Sequence, residues 1–237
     1  MASPDSRTLY ESFLFPDIVR VLESIPKDKA VVTDSIGKFF PSRPGIQHHL
    51  LPGCTVISLI DKIHSGNLNL QGYKAILVHM GTNDIDPRTW AGNMTWNTKV
   101  DQVIQSYNTL ISEIRRQNSH ALLLFSSILP RPKDWDTSKE VVITTNNRLK
   151  ALCKARKCWY VPSYSPFILK GASIDVAHKG NPIRHYFAHR DGGLHLTLPG
   201  SAVLSRVIIQ ALSDVELNKA AVARNVSVKF PSVRWGK

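Results

Sequence analysis

The sequence predicts an α/β protein, with a central, mainly parallel five-stranded sheet sandwiched between layers of helices. Three observations predict it. Short apolar runs alternate with amphipathic stretches along most of the chain; strands joined in that way need crossover helices and therefore run parallel. Two runs, 74–80 (KAILVHM) and 120–127 (HALLLFSS), are almost continuously apolar, as strands covered on both faces are. Finally, 237 residues with 43% hydrophobic and 20% charged content can bury a sizeable core and lack the composition of a disordered chain.

The elements follow in order. Residues 1–27 form a polar-starting extension in which 8–24 has mixed helical spacing broken by Pro16. Strands are expected at 29–34 (KAVVTD), 54–58 (CTVIS), 74–80, 120–127 and 157–161 (KCWYV). Between them, 98–117 places Val100, Val103, Ile104, Tyr107, Leu110, Ile111 and Ile114 on one helical stripe. A second helix runs over about 138–155 and ends in a basic turn; a third runs over 199–213 and opens on Pro199, a favoured first-turn residue. With no internal repeat and no clean linker, residues 28–214 read as one domain. Residues 215–237 read as a basic tail with interleaved Phe230 and Trp235.

The net charge of +12 implies attraction to polyanions, either nucleic acid or an anionic membrane surface. Its carriers are spread over loops and helix ends, Arg115-Arg116, Arg131 and Arg190 among them, and over the tail. Cys54, Cys153 and Cys158 have no metal spacing and are expected as reduced thiols. The polar, acid-bearing start is unlike a signal peptide, and no apolar run reaches membrane-spanning length. An intracellular, cytoplasmic setting is the expectation.

Ligands of open parallel sheets bind beyond the carboxyl ends of the strands, so the residues there are the candidates. Asp34-Ser35 follows the first strand and Pro52-Gly53 precedes the second. Gly81-Thr82-Asn83-Asp84 follows the third, and HRDGGLHLTLPGS precedes the last helix. An acyl-transfer site needs a nucleophile, a base, an orienting acid and donors for the developing oxyanion. Ser35, His195 and Asp191 are of the types needed for the first three, while the Ser35 and Gly53 backbone N–H groups and the Asn83 amide could serve as donors. On local grounds alone Ser35 is more readily a helix cap than a nucleophile.

Four blocks in this order (TDSIGKFF, LPGCTVISLI, VHMGTND and DGGLHLTLPGS) resemble the SGNH (GDSL-type) hydrolase superfamily over residues 28–214. The LLLFSSILPRP segment and the helix carrying Asn146 and Asn147 are similar as well. The resemblance implies a flavodoxin-like three-layer fold and carboxylic ester hydrolysis through an acyl-enzyme, on acetyl or lipid-like esters, with no cofactor and no metal. It further implies Ser35 as nucleophile, with Asp191 and His195 completing a triad and Ser35, Gly53 and Asn83 forming the oxyanion hole. Ser35 is then expected both to cap the following helix and to attack. Two departures stand out. Thr33 occupies the position where the family usually has glycine, and Asp191 lies four residues before His195 instead of three. A bulge at Gly192-Gly193 is expected to return Asp191 to the imidazole, the alternative being a backbone carbonyl that orients the ring.

A second reading is a binding module. Esterase-like domains occur in some animal retroelement-type nucleic-acid-binding proteins, and an SGNH-like RNA-binding domain without the catalytic residues is known in a germ-plasm organiser. The charge favours that reading; the presence of Ser35, Asn83 and His195 favours the enzyme. Other polar residues have plainer readings. His79 is expected as a satisfied core histidine and Asp84 and Asp86 as turn formers and caps. His48-His49 are expected on a solvated loop, and His185, His189 and His195 lack zinc spacing.

Overall fold

The computed structural model describes residues 24–90, 94–170 and 179–223, the last segment with side chains through 217. Five strands form one sheet: β1 (Lys29–Thr33), β2 (Ile46–Leu50), β3 (Ala75–His79), β4 (Leu122–Ser126) and β5 (Trp159–Val161). Their order is β2-β1-β3-β4-β5 and every pairing is parallel. The chain winds outward from β1 to β2 and then back across β1 to β3. The winding therefore reverses at β1 and β3, and a crevice opens beyond their carboxyl ends.

Alternation along the strands sorts the core into two layers. Ala30, Val32, Ile76, Val78, Leu123 and Phe125 pack with helices α1 (Val56–His64), α2 (Trp96–Gln117) and α3 (Trp135–Ala155). Val31, Ala75, Leu77, Leu124 and Val161 face the other way, against Leu204, Val207, Ile208 and Leu212 of α4 (Leu198–Ala223). This is the expected α/β/α sandwich. Register brings Thr33 opposite both Leu50 and His79, so these strand ends share one rim.

The second strand is not at 54–58. Thr55 caps α1 by accepting from the Ser58 N–H, and Val56, Leu59, Ile60 and Ile63 form its buried stripe. The β-branched run CTVIS is therefore the first turn of a helix. The strand is IQHHL, a half-buried edge strand whose polar residues conceal it from a hydrophobicity reading. His48 and His49 consequently lie in β2 and not in a solvated loop. Their Nε2 atoms hydrogen-bond with the hydroxyls of Thr33 (2.7 Å) and Tyr73 (3.1 Å). Gly53 in turn follows the second strand, which puts it on the rim.

The last helix extends to Ala223, ten residues past the expected end at 213. The expected helical segments of 1–23 and the tail from 224, with Phe230 and Trp235, lie outside the described residues. Arg131, read from sequence as surface charge, is buried at 2% exposure. It forms a two-pronged ion pair with Asp134 (2.9 and 2.6 Å), lies 3.6 Å from Asp86 and donates to the Thr82 carbonyl. It ties the loop after β4 to the loop after β3. Asn146 of α3 has a similar role, since its amide both accepts from and donates to the backbone of Ile128.

Candidate active site

β1 delivers the chain to the crevice and a tight turn stops it there. Asp34, not Ser35, is the cap: its carboxylate accepts the Ile36 N–H (2.9 Å) at the head of the 3-10 turn Ser35–Gly37. The turn closes through Gly37 N–H to Asp34 C=O and Lys38 N–H to Ser35 C=O, while buried Ile36 anchors it in the α4-side core. Because the cap is the preceding residue, the Ser35 hydroxyl is left for another partner. The turn also explains how Thr33 is accommodated. A Cβ on Gly37 would sit 2.1 Å from the Thr33 hydroxyl, so the threonine fits because the glycine is there.

That other partner comes from 160 residues away: His195 Nε2 lies 3.0 Å from Ser35 Oγ. The opposite ring nitrogen, Nδ1, lies 2.7 Å from Asp191 Oδ2. A carboxylate only accepts, so Nδ1 carries the proton and Nε2 is free to accept from the serine hydroxyl. Asp191 reaches the ring despite the extra residue. Gly192 and Gly193 take φ of +74° and +95°, and the chain curls back around the carboxylate. Asp191 Oδ1 accepts the N–H groups of Gly193 (3.1 Å), Leu194 (2.9 Å) and His195 (3.4 Å), leaving Oδ2 to the imidazole. A side chain is excluded at Gly193, where a Cβ would approach Pro132 to 2.7 Å. Burial works against the charge of Asp191, but the His195 bond and the three backbone donors outweigh it and hold the carboxyl below its usual range. The 3-10 turn His189–Asp191 and the bridge between Phe187 and Leu196 brace the loop from either side.

The expected oxyanion donors are placed less uniformly. Gly53 lies exposed in the turn after β2. Asn83, in the turn after β3, donates through Nδ2 to the Cys54 carbonyl (3.0 Å), which ties the two turns together and leaves the second amide proton over. Beside Ser35 and His195 opens a cavity of about 320 Å³ with Phe39, Leu50, Pro52 and Leu196 among its walls. His79 sits away from it, buried, with Nδ1 2.8 Å from the Ser126 hydroxyl, and burial pushes its pKa down to about 4, so it stays neutral. His185 packs against Tyr186. Among the described residues no three His, Cys, Asp or Glu side chains group as metal ligands.

Two buried acids lie behind the crevice, and Asp84 is the cap that the sequence suggested. Asp84 accepts the Val56 N–H with both oxygens, capping α1, and burial raises its pKa to about 6. Asp34 is 1% exposed and its Oδ2 has no partner. Burial first, then the charge of Asp84, overcome the Ile36 bond and Arg131 and raise its pKa to about 7. The burial of neither acid was legible, because burial is not encoded in a dipeptide.

A pH dependence follows. Between the ordinary carboxyl pKa and about 7, the folded protein holds a proton on Asp34 that the unfolded chain has lost, so stability falls as pH rises through that window and levels off above it. The full loss is on the order of 4 kcal/mol. Asp34→Asn keeps the acceptor for Ile36 and removes the titration. Melting curves at pH 5 and pH 8 are expected to show a smaller drop in the variant than in the wild type; equal drops would contradict a protonated Asp34.

Comparison with known proteins places the architecture. No family model matches the chain, and no curated protein matches it. Among solved structures, it is similar to a candidate acylhydrolase from Bacteroides fragilis (TM-score 0.59, 20% identity, 84% of this chain and 95% of that one). A member of the lipolytic G-D-S-L family from Veillonella parvula aligns with TM-score 0.53 and 14% identity over 78% of this chain and 97% of that one. The chain has the SGNH/GDSL hydrolase fold. An acetylxylan esterase from Geobacillus stearothermophilus shares this fold at TM-score 0.53 and 13% identity, over 78% of this chain and 94% of that one. In the flavodoxin-like strand order of this fold, the crevice at β1 and β3 is the place for a ligand, and Ser35 and Asn83 follow those two strands.

Proposed function

We propose that the protein is a serine esterase of the SGNH type, hydrolysing carboxylic esters through an acyl-enzyme. The observation that carries this reading is the continuous contact from Asp191 through His195 to Ser35 at the mouth of a largely apolar cavity. Ser35 Oγ attacks the ester carbonyl as His195 Nε2 takes its proton; Asp191 holds the tautomer and stabilises the imidazolium. The oxyanion is met by the Ser35 and Gly53 backbone N–H groups and the Asn83 amide. His195 then protonates the departing alcohol, and water repeats the sequence in reverse to release the acid. The acylhydrolase and esterase descriptions of the structural neighbours support an ester substrate. The cavity volume suits an acetyl or modest lipid-like acyl chain.

The nucleic-acid reading, with its narrower likeness to animal retroelement proteins, rests on charge, and so does a membrane partner. Some of the carriers of that charge are engaged within the chain, although pairing with acids leaves the net charge of +12 as it is. Arg88, Arg116, Arg131 and Arg148 pair with Asp86, Glu113, Asp134 and Asp101, and Arg156 bonds Asn108 and Ser112. Nor does polyanion binding have a use for a polarised serine.

A fluorophosphonate probe tests the proposal directly, because it phosphonylates an activated serine with loss of fluoride. Adduct mass on the peptide containing Ser35 is expected in the wild type, none in Ser35→Ala, and much slower labelling in His195→Gln. A wild-type Ser35 that stays unlabelled, in a protein binding single-stranded RNA in a salt-sensitive manner, would return the choice to the binding module.

A further inference from the structure

The cavity beside Ser35 has a feature that ester hydrolysis does not require: two exposed cations in its lining. Lys38 ends the nucleophile turn and Arg190 immediately precedes Asp191, so the two flank the catalytic pair from opposite loops, and both line the cavity. No carboxylate lines it with them. Elsewhere Arg88, Arg116, Arg131 and Arg148 are matched by acids. Among the described residues Lys38 and Arg190 are not, and the Lys38 ammonium has only the Phe39 ring, 5.5 Å from its centroid. Phe39 and Leu50, 41% and 37% exposed, offer apolar surface at the same opening.

Apolar walls with two cations that form no ion pair among the described residues match a ligand of mixed character, apolar near the reacting carbonyl and negatively charged beyond it. The nearby Asp191 is engaged by His195 and its own loop. The arginine fork suits the paired oxygens of a carboxylate or phosphate, and the lysine adds a mobile point charge. We propose that the preferred ester carries an anionic group, a carboxylate or phosphate, that Lys38 and Arg190 receive while the apolar part of the ester lies on Phe39 and Leu50. This rests on the esterase reading above and narrows its substrate class. The reaction is unchanged: water is consumed, the ester C–O bond breaks, and the charged group takes no part.

Matched ester pairs test it. Mono-4-nitrophenyl adipate against 4-nitrophenyl hexanoate puts a carboxylate in the acyl arm, and 4-acetoxybenzoate against its methyl ester puts one in the leaving group. The pair of 4-acetoxyphenyl phosphate and 4-methoxyphenyl acetate puts a phosphate there. With each rate normalised to hydroxide hydrolysis, at least one anionic member is expected to show a kcat/KM about three- to tenfold above its neutral twin at low salt. The pair that responds identifies the arm and the anion. The preference should shrink at about 1 M salt, through screening. It should reverse in the Lys38→Glu, Arg190→Glu double variant and persist in Lys150→Glu, which removes an exposed lysine of α3. Neutral twins hydrolysed as well as or better than the anions in all pairs, or a preference indifferent to the double variant, would overturn the proposal and leave the esterase standing. If none of the six esters is turned over in a Ser35-dependent way, both fall together.

Discussion

Ser35→Ala is expected to lower ester turnover by roughly a millionfold, the loss seen when a serine hydrolase is deprived of its nucleophile. Among the described residues the side-chain hydrogen bond of Ser35 is to His195 Nε2 at 3.0 Å, and the helical turn it begins is capped by Asp34. Folding should therefore hardly notice the change, with stability within about 1 kcal/mol of the wild type. Steady-state hydrolysis of short-chain 4-nitrophenyl esters, beside a melting curve for each protein, separates the two effects. A variant that melts normally yet keeps more than about a thousandth of the activity would remove Ser35 from the chemistry.

Asp191→Asn is expected to cost about 10⁴ in kcat, with little change in KM. The reasoning is again geometric. An asparagine can keep its carbonyl oxygen where Oδ1 accepts the Gly193, Leu194 and His195 N–H groups, so the loop stays in place. It then presents an amide to His195 Nδ1. Two donors cannot face each other, so the ring proton moves to Nε2, and the nitrogen facing Ser35 can no longer accept. Asp191→Ala removes the loop's internal acceptor as well and should lower both stability and activity. Equal kcat for wild type and Asp191→Asn would mean that the carboxylate orients nothing, leaving a Ser35–His195 dyad as the working unit.

The class of fold was legible because periodicity is a local property. The apolar runs at 74–80 and 120–127 and the stripe from Val100 to Ile114 each report burial within a few residues of chain, and β3, β4 and α2 lie where those patterns put them. The error at 54–58 has the same origin. CTVIS satisfies strand propensity, yet the Thr55 cap and the spacing of Val56, Leu59, Ile60 and Ile63 satisfy a helix, and packing chose the helix. IQHHL was passed over because an edge strand needs only partial burial and can carry histidines whose rings find Thr33 and Tyr73.

What the sequence determined by itself is therefore the alternation of strands and helices, and Ser35, Asn83, Asp191 and His195 as candidates at the ends of its elements; Gly53 joins that rim only because the second strand is Ile46–Leu50 and ends before it. What only the tertiary structure decided is how those residues meet. The 160-residue separation of Ser35 and His195 collapses to a hydrogen bond only when β1 and the loop before α4 are docked on the same edge of the sheet. The extra residue between Asp191 and His195 is absorbed only because two glycines can adopt positive φ, one of them pressed against Pro132. Thr33 is tolerated only because Gly37 folds over it, and Arg131 is a buried tie, not a surface charge, only because Asp86, Asp134 and Thr82 surround it. Propensity and periodicity act over a few residues, whereas burial, charge pairing and the contact of Ser35 with His195 depend on which distant segments pack together.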